Sequence, residues 1–304
     1  MKDKKPAYLS VCSSTILFIF VFFNSFLAFA AQDSILVTTM NVAWYGSGFF
    51  PPLNDDEREG LLKDFFKNDL LTSDIILFQE ITKPEQFTHL LDIKYKCLTY
   101  NDRGRAHQYV LTCFDSNKFE AINTDFELFN PLRAIKISDT KDRLRDVMFL
   151  SLKNIFTKKI IHTFNLHLKS GDDQSAVRQL QAEKLLTELK NLNIRSSETI
   201  LIGGDFNSYI KKTSQSVNNE LDTFLNIGLD QGFNFYTVKE LRTTLSYKQK
   251  SFDHLLVDTD VNILDYSVHP ICNKSANPKS QIEDFMYFKD NISDHCPVSI
   301  NLEN

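Results

Sequence analysis

The sequence lacks the features that divide a chain into several parts. It has no proline-, glycine- or serine-rich linker and no internal repeat, and its 304 residues include 9 glycines and 8 prolines. These absences exclude repeat proteins and strings of small domains. The roughly 270 residues that follow the N-terminal segment are enough for one large domain with a full hydrophobic core. We expect a single domain over residues 31–304.

Excess positive charge is also missing. Lysine and arginine number 34 against 39 aspartates and glutamates, a formal net charge of −5. Residues 1–30 hold three lysines and one aspartate, a net +2, so the remaining chain stands at −7. An acidic protein has no global attraction for phosphate backbones. A nucleic-acid substrate would therefore be held by a local basic patch or by metal ions.

The N-terminus has the order of a secretory signal peptide. "MKDKK" is followed by an uncharged stretch containing "ILFIFVFF", and "AFAA" then places Ala28 and Ala30 at the small positions of a cleavage site. The uncharged run from Tyr8 to Ala31 is also long enough to cross a bilayer as an uncleaved anchor. In either case the remainder is exported. We expect a secreted or periplasmic protein whose signal peptide is residues 1–30.

Four cysteines follow this segment, Cys97, Cys113, Cys272 and Cys296. In an oxidising compartment an even count permits two disulfides, with three possible connectivities. Cys97 and Cys113 flank the turn-rich "NDRGRAH" in a predicted hairpin and are the first candidate pair. Cys296, at the start of an apolar strand, fits a buried free thiol equally well.

Apolar runs rich in β-branched and aromatic residues predict strands. These runs are "SILVTTMN", "DIILFQE", "YVLTCF", "DVMFLSL", "IIHTFNLHL", "TILIGGDFN", "FDHLLVD" and "CPVSINL". Apolar periodicity predicts helices around 56–70 and 174–192, and a third is expected near 218–230. Many strands with interspersed helices indicate sheets covered by helices, an α/β or α+β layered sandwich.

Several predicted strands have a chemically capable polar residue at or beside one end. These residues are Asn41, Glu80, His167, Asp205, Asn207, Asp253, Asp294 and His295. Strand ends on one side of a sheet are where sites are commonly assembled. Oxygen ligands such as Glu80, Asn41 and Asp294 suit a hard cation, Mg²⁺ or Mn²⁺. Taken singly, each of these residues is also explained by a turn, a cap or a salt bridge.

The "GGDFN" stretch concentrates this pattern. Two-residue alternation puts Asp205 and Asn207 on one side of an extended segment, with Phe206 facing the core. Gly203 and Gly204 would let the backbone bend or a substrate approach closely.

Histidines supply the other candidate chemistry. In "NLHLKSG" alternation makes His167 and Lys169 co-facial, a group that exchanges protons near neutral pH beside a cation suited to phosphate. Asp253 would hydrogen-bond the second ring nitrogen of His295 and so fix its tautomer. His254 alternates away from Asp253 and is assigned a structural role.

The ordered set "MN", "QE", "HLK", "GDFN", "FDH" and "SDH", from Asn41 to about Leu302, resembles the endonuclease/exonuclease/phosphatase superfamily. The resemblance implies a four-layer α/β sandwich, in which two packed, mostly antiparallel sheets are flanked by helices, as in deoxyribonuclease I. It also implies hydrolysis of phosphate esters that depends on Mg²⁺, with Mn²⁺ as the second candidate ion.

The resemblance also assigns roles. Glu80 is the principal metal ligand, with Asn41 beside it and Asp294 as a second carboxylate on the metal side. Asp205 and Asn207 position the attacking water and the scissile phosphate. The remaining roles are base or phosphate ligand for His295 paired with Asp253, leaving-group protonation for His167, and phosphate contacts for Arg145 and Lys169.

Three functions remain open on the sequence. The favoured one is an exported, monomeric, metal-dependent nuclease acting on DNA or RNA. The second is a sphingomyelinase of the phospholipase C type that acts on membrane lipid, for which Phe49 and Phe50 in "GSGFFPPL" would form a short membrane wedge. The third is a non-catalytic, toxin-like subunit on the same fold.

Overall fold

The polypeptide forms two packed β-sheets with helices outside them. In the computed structural model, residues 34–48, 55–99, 108–122, 132–137, 144–212, 217–239, 242–245, 250–258, 260–273 and 286–303 are described. The strands are β1 (Ser34–Tyr45), β2 (Ile75–Ile81), β3 (Tyr95–Thr99), β4 (Tyr109–Asp115), β5 (Phe119–Ala121), β6 (Leu132–Ile135), β7 (Val147–Asn154), β8 (Ile160–His167), β9 (Thr199–Asp205), β10 (Ile210–Lys212), β11 (Val217–Asn219), β12 (Phe235–Tyr236), β13 (Asp253–Asp258), β14 (Ile263–Val268) and β15 (Val298–Glu303).

The helices include the three that the apolar periodicity predicts. They are α1 (Asp55–Phe65) with a π-helical turn over Phe66–Leu70, α2 (Pro84–Thr88), α3 (Ser175–Asn191), α4 (Glu220–Gln231) and α5 (Pro270–Asn273). The side chain of Asn219 caps α4 by accepting from the Leu221 N–H, and Gly232 ends it in the left-handed conformation.

Each of the two large sheets contains one parallel pair of strands, and β10 and β11 form a separate antiparallel pair. The first sheet has the order β14-β15-β1-β2-β4-β3, and the second has β12-β13-β9-β8-β7-β5 with β6 also on β7. Strands β1 and β2 run parallel, as do β8 and β9, while the other recorded pairings are antiparallel. The predicted fold class, two packed sheets with flanking helices, is confirmed.

The sheets pack through apolar side chains, and several buried hydrogen bonds also join them. Leu77 of β2 and Leu255 of β13 both lie against Gly203, and all three are buried. Beside them Gln79 Nε2 donates to Asn165 Oδ1 at 2.9 Å, joining β2 to β8. Asn165 Nδ2 also donates to the carbonyl oxygens of Phe78 and Leu111, so this side chain joins β8 to β2 and β4. Buried hydrogen bonds of this kind fix the lateral register of the two sheets, because breaking them would leave buried polar groups unsatisfied.

All four cysteines outside the N-terminal segment form disulfides. Cys97 is bonded to Cys113, its direct partner in the register of β3 and β4, which confirms the first candidate pair. Cys272 of α5 is bonded to Cys296. The free-thiol alternative for Cys296 is therefore wrong, although the residue is buried as expected.

Residues Ile35–Glu303 form one compact unit; the other unit, Met1–Ser34 with Asn304, lies outside the described residues except for Ser34. The predicted signal peptide and the candidate wedge residues Phe49 and Phe50 also lie outside them. No helix in the described part of the chain is long and apolar enough to cross a membrane.

Candidate active site

The carboxyl ends of β1 and β2 are distorted where Glu80 leaves the sheet. Asn41 pairs with Gln79 and Tyr45 pairs with Ile81, so three residues of β1 face the single residue Glu80 of β2. The φ angles of Ala43, Trp44 and Glu80 are all positive, at 46°, 56° and 62°. Bulges re-aim side chains at the ends of strands. Here the bulge places the Glu80 carboxylate within 3.1 Å of the Trp44 backbone N–H.

A buried arginine, Arg58 of α1, holds this bulge. Its guanidinium donates to the carbonyl oxygens of Ala43, at 3.1 Å, and Val42, and to that of Ile292 at 2.8 Å. Arg58 therefore ties the distorted end of β1 to the segment that precedes His295. The sequence analysis missed this residue, since a lone arginine in an amphipathic helix reads as a solvated charge.

The second sheet brings three site residues into direct register. His167 at the end of β8 pairs with Asp205 at the end of β9, and Asp205 pairs with Asp253 at the start of β13. Since β13 is antiparallel to β9, its first residue lies where β9 ends. Three residues far apart in sequence thus lie side by side.

The two glycines before Asp205 serve packing instead of substrate approach. A Cβ on Gly203 would lie 2.6 Å from side-chain atoms of Leu77 and Leu255. Gly204 has a φ of 138°, and a Cβ there would lie 2.0 Å from the Leu166 carbonyl oxygen. The expectation that these two glycines make room for a substrate is wrong, because the space beside them is filled by Leu77, Leu255 and Leu166.

Asp205 lies at the centre of the cluster. Its Oδ2 accepts from Asn41 Nδ2 at 3.0 Å and lies 3.5 Å from His167 Nε2, which is also 3.6 Å from Glu80 Oε1. Its Oδ1 accepts from the Asn207 backbone N–H at 2.8 Å. The Asn207 side chain donates to the Leu168 carbonyl. The backbone of "GDFN" therefore turns after Asp205, and Asn207 holds both the Asp205 carboxylate and the end of β8.

His295 is held by Asp253, as expected. Its Nδ1 lies 2.7 Å from Asp253 Oδ2, and Asp253 is fully buried. Ser293 Oγ accepts from the His295 backbone N–H and donates to the Asn41 carbonyl at 2.7 Å. The serine of "SDH" thus links His295 to β1, a role that the sequence analysis did not assign. His254 hydrogen-bonds Ser208 and the Ser251 carbonyl, in agreement with its predicted structural role.

The electrostatics reflect acids and histidines packed together out of water. Burial raises the pKa of Glu80, opposed by His295 and Arg145. Burial, opposed by His295 and reinforced by Asp253 and Glu80, raises the pKa of Asp205 to about 7. Burial, Arg145 and His295 together hold the pKa of His167 well below its usual value. Burial alone would lower the pKa of His295, but Asp253, Asp294 and Asp205 raise it well above the usual value.

These residues fit a divalent cation. One ligand atom each from Glu80, His167 and Asp205 lie within 4.8 Å of one another, and so do atoms of Asp205, Asp253 and His295. Two carboxylates facing each other out of water favour a cation between them. Asn41 here turns its amide N–H toward Asp205 and its Oδ1 toward the Ala43 N–H, so ligation by this oxygen would need the amide to rotate.

Of the three remaining predicted site residues, Arg145 and Asp294 lie beside the cluster, and Lys169 makes no recorded contact with it in the described part of the chain. The charges of Arg145 and Asp294 act on the Glu80 carboxylate, which locates both beside the cluster. Lys169 follows β8, and its charge contributes to lowering the pKa of Asp173, a residue outside the cluster. Its backbone is tied to α3, since its N–H donates to Gln181 and its carbonyl accepts from Arg178. No recorded contact among the described residues brings the Lys169 side chain into the cluster.

Residues 39–295 match the model of the endonuclease/exonuclease/phosphatase family. The chain belongs to this family. Family members are hydrolases that act on phosphoester bonds. A comparison with curated proteins finds no match.

Solved structures share the fold at low identity. ANGEL2, a 2',3'-cyclic phosphatase in complex with adenosine-2',3'-vanadate, is 15% identical with a TM-score of 0.63, over 89% of this chain and 95% of that one. A mannosyl-6-phosphatase from Bacteroides thetaiotaomicron is 16% identical with a TM-score of 0.62, over 89% and 100%. D. rerio TDP2 complexed with a single-strand DNA product is 16% identical with a TM-score of 0.59, over 89% and 99%.

Proposed function

We propose that this chain is an exported, Mg²⁺-dependent phosphodiesterase, a nuclease that cleaves DNA or RNA by in-line attack of water. The observation that carries the proposal is the meeting of Glu80, His167 and Asp205 with the Asp253–His295 pair at one edge of the two sheets. In-line hydrolysis needs a positioned water, charge neutralisation on the phosphoryl oxygens and a donor for the departing oxygen. This edge holds groups suited to each need.

The metal would be held by Glu80, with Asn41 and Asp294 at its periphery, directly or through water. A bound Mg²⁺ would neutralise charge on the phosphoryl oxygens. Mn²⁺ meets the same ligand requirements.

The protein groups divide the remaining work. Asp205 orients the attacking water and accepts its proton, and Asn207 lies beside it to hydrogen-bond a phosphate oxygen. Asp253 keeps His295 oriented, so that the other ring nitrogen faces the substrate. His295, whose pKa is raised, is the histidine able to protonate the departing oxygen, and Arg145 contributes positive charge for the phosphate. Burial keeps the pKa of His167 low, so this histidine would contribute a hydrogen bond to the departing oxygen instead of the proton.

Two findings support the finer parts of the proposal. TDP2 with a single-strand DNA product and ANGEL2 with an adenosine vanadate are nucleotide complexes of the same fold. Disulfides persist in oxidising compartments, and the pairing of Cys97 with Cys113 and of Cys272 with Cys296 supports export.

The test uses residues 31–304 with plasmid DNA, RNA and sphingomyelin vesicles, each with Mg²⁺ and with EDTA. Asp205→Asn and His167→Ala remove groups of the site. Asp258→Asn is the matched control, because Asp258 ends the strand that Asp253 begins. We expect Mg²⁺-dependent cleavage of nucleic acid that the two site variants lose and the control retains. Release of choline phosphate with intact nucleic acid would move the substrate to the lipid class, and no hydrolysis of any of the three would refute the proposal.

A further inference from the structure

The single tryptophan of the chain lies at the edge of this site. Trp44 is the only tryptophan in 304 residues, and its backbone N–H donates to Glu80 Oε2 at 3.1 Å. Its side chain is 38% exposed, whereas Val42, Ala43 and Tyr45 around it are buried. A partly exposed indole therefore begins directly beside the proposed metal ligand. Nothing in the proposed hydrolysis uses it.

The backbone that presents Trp44 is unusual. Ala43 and Trp44 are consecutive residues in the left-handed region, which a bulky side chain rarely adopts. Arg58 donates to the Ala43 carbonyl, and the Trp44 carbonyl accepts from the backbone N–H and the hydroxyl of Ser47. The strained conformation is thus enforced from both sides. Strain of this kind is concentrated at ligand-binding and active sites, where it orients a side chain.

A nuclease with this composition would need sources of affinity for nucleic acid other than its overall charge. The chain is acidic, so it lacks the general electrostatic attraction that supplies most non-specific affinity for nucleic acid. Stacking of bases on an aromatic ring is another common source of affinity for nucleic acid. This interaction does not require the protein to be positively charged. An exposed indole on a residue whose backbone is hydrogen-bonded to Glu80 would supply this source.

We propose that Trp44 is a stacking platform for the nucleobase next to the scissile phosphate, so that the substrate is a single-stranded or locally unstacked polynucleotide. This inference rests on the proposed nuclease function. The position of Trp44 favours a base over a membrane, because its backbone is hydrogen-bonded to the proposed metal ligand Glu80. A membrane wedge instead protrudes from the rim of a site.

Because Trp44 is the only tryptophan, its fluorescence reports directly on the ring. The experiment uses residues 31–304 carrying Asp205→Asn, which prevents turnover, with Mg²⁺ present. The probes are a labelled oligothymidylate, an abasic oligomer of the same length, and sphingomyelin vesicles. We expect the oligothymidylate to quench the emission of Trp44 and the abasic oligomer to leave it unchanged.

Variants then measure the contribution of the ring. In the same background, Trp44→Leu should weaken binding of the labelled oligothymidylate by about 5-fold to 150-fold, and Trp44→Phe by less. The factor should be the same at two salt concentrations, since stacking releases no counterions. Phe156→Leu is the matched control, because Phe156 is also exposed but follows β7 at the end opposite His167. It should bind as the parent does.

The possible results distinguish failure of the stacking role of Trp44 from failure of the proposed nuclease function. Equal binding of the abasic and normal oligomers, or an unchanged affinity in both Trp44 variants, would overturn the stacking role while leaving the nuclease proposal intact. Failure of the parent protein to bind any polynucleotide would overturn both. A vesicle-induced blue shift without a response to oligothymidylate would also overturn the inference and assign Trp44 to lipid.

Discussion

Removing each disulfide in turn tests whether the segment that carries His295 must be tethered. Cys296 directly follows His295, and its backbone N–H donates to the Thr243 carbonyl at 2.7 Å. The Cys272–Cys296 bond therefore anchors the segment that places the imidazole against Asp253. The Cys97–Cys113 bond joins β3 to β4 at the edge of the first sheet, where no proposed site residue lies.

The two bonds have similar expected effects on stability. They close loops with sequence separations of 24 and 16 residues. The loop-entropy relation gives about 3.4 and about 3.1 kcal/mol for loops of these lengths, so either double substitution to alanine should lower the free energy of unfolding by about 3 kcal/mol. Alanine is the appropriate replacement because Cys113 and Cys296 are fully buried.

Activity should distinguish the two variants. A displacement of His295 by about 1 Å is expected to lower kcat by about 100-fold. Denaturant unfolding measures stability, and phosphodiester hydrolysis well below both melting temperatures measures kcat. We expect equal destabilisation, with a large loss of kcat only in Cys272→Ala/Cys296→Ala. Equal kcat values in the two variants would refute the positioning role of the Cys272–Cys296 bond.

Four other changes have expected outcomes. Gly204→Ala should destabilise the fold severely, because its Cβ would lie 2.0 Å from a backbone oxygen, and the melting temperature measures this. Glu80→Gln should weaken Mg²⁺ binding in calorimetry, whereas intact affinity would exclude Glu80 as a ligand. Asp253→Asn should lower kcat by about 100-fold or more with KM little changed, since it removes the partner that orients the imidazole. Burial lowers the pKa of His254 to about 4 from 6.5, so the unfolded chain binds the extra proton as the pH falls through this range. Up to about 3 kcal/mol of stability should be present above pH 6.5 and lost between about pH 6.5 and pH 4, and urea unfolding of His254→Gln should show a smaller loss.

The central strands could be predicted because each one is a run rich in apolar residues in the sequence. Each predicted apolar run lies in an interior strand of its sheet. Buried residues are nearly continuous in strands such as β2 and β9, and in β15 they alternate with partly exposed ones. The missed strands are short or lie at sheet edges. In β14, Ile263–Val268, only Val268 is buried, and in β3 no residue is buried. Edge strands carry a weak pattern because only one side of them is covered.

The candidate site was predictable for a different reason. Acids and amides at strand ends are visible one at a time, and each has an ordinary structural explanation. Their ordered combination is informative because two parallel pairs of strands bring their carboxyl ends to one edge, which places Glu80 near His167 and Asp205. Lys169 shows the limit of alternation, because the strand ends at His167 and the backbone beyond it is tied to α3.

The residues that escaped prediction act through shape, and their function depends on neighbours far along the chain. Gly204 is predicted from the sequence to let the backbone bend, and its φ of 138° agrees with this. The sequence does not indicate the Leu166 carbonyl oxygen on the adjacent strand, 38 residues earlier, which leaves no room for a Cβ. Arg58 donates hydrogen bonds to backbone carbonyl oxygens in the bulge of β1, such as that of Ala43. The bulge lies opposite Glu80, which has a positive φ angle. Trp44 lies within this bulge, so its exposure depends on the bulge and on Arg58, which holds the bulge. The metal ligand, the arginine beneath it and the exposed indole beside it are therefore one structural unit. A change at Arg58 should move metal affinity and Trp44 fluorescence together, which a purely structural arginine remote from the site would not do.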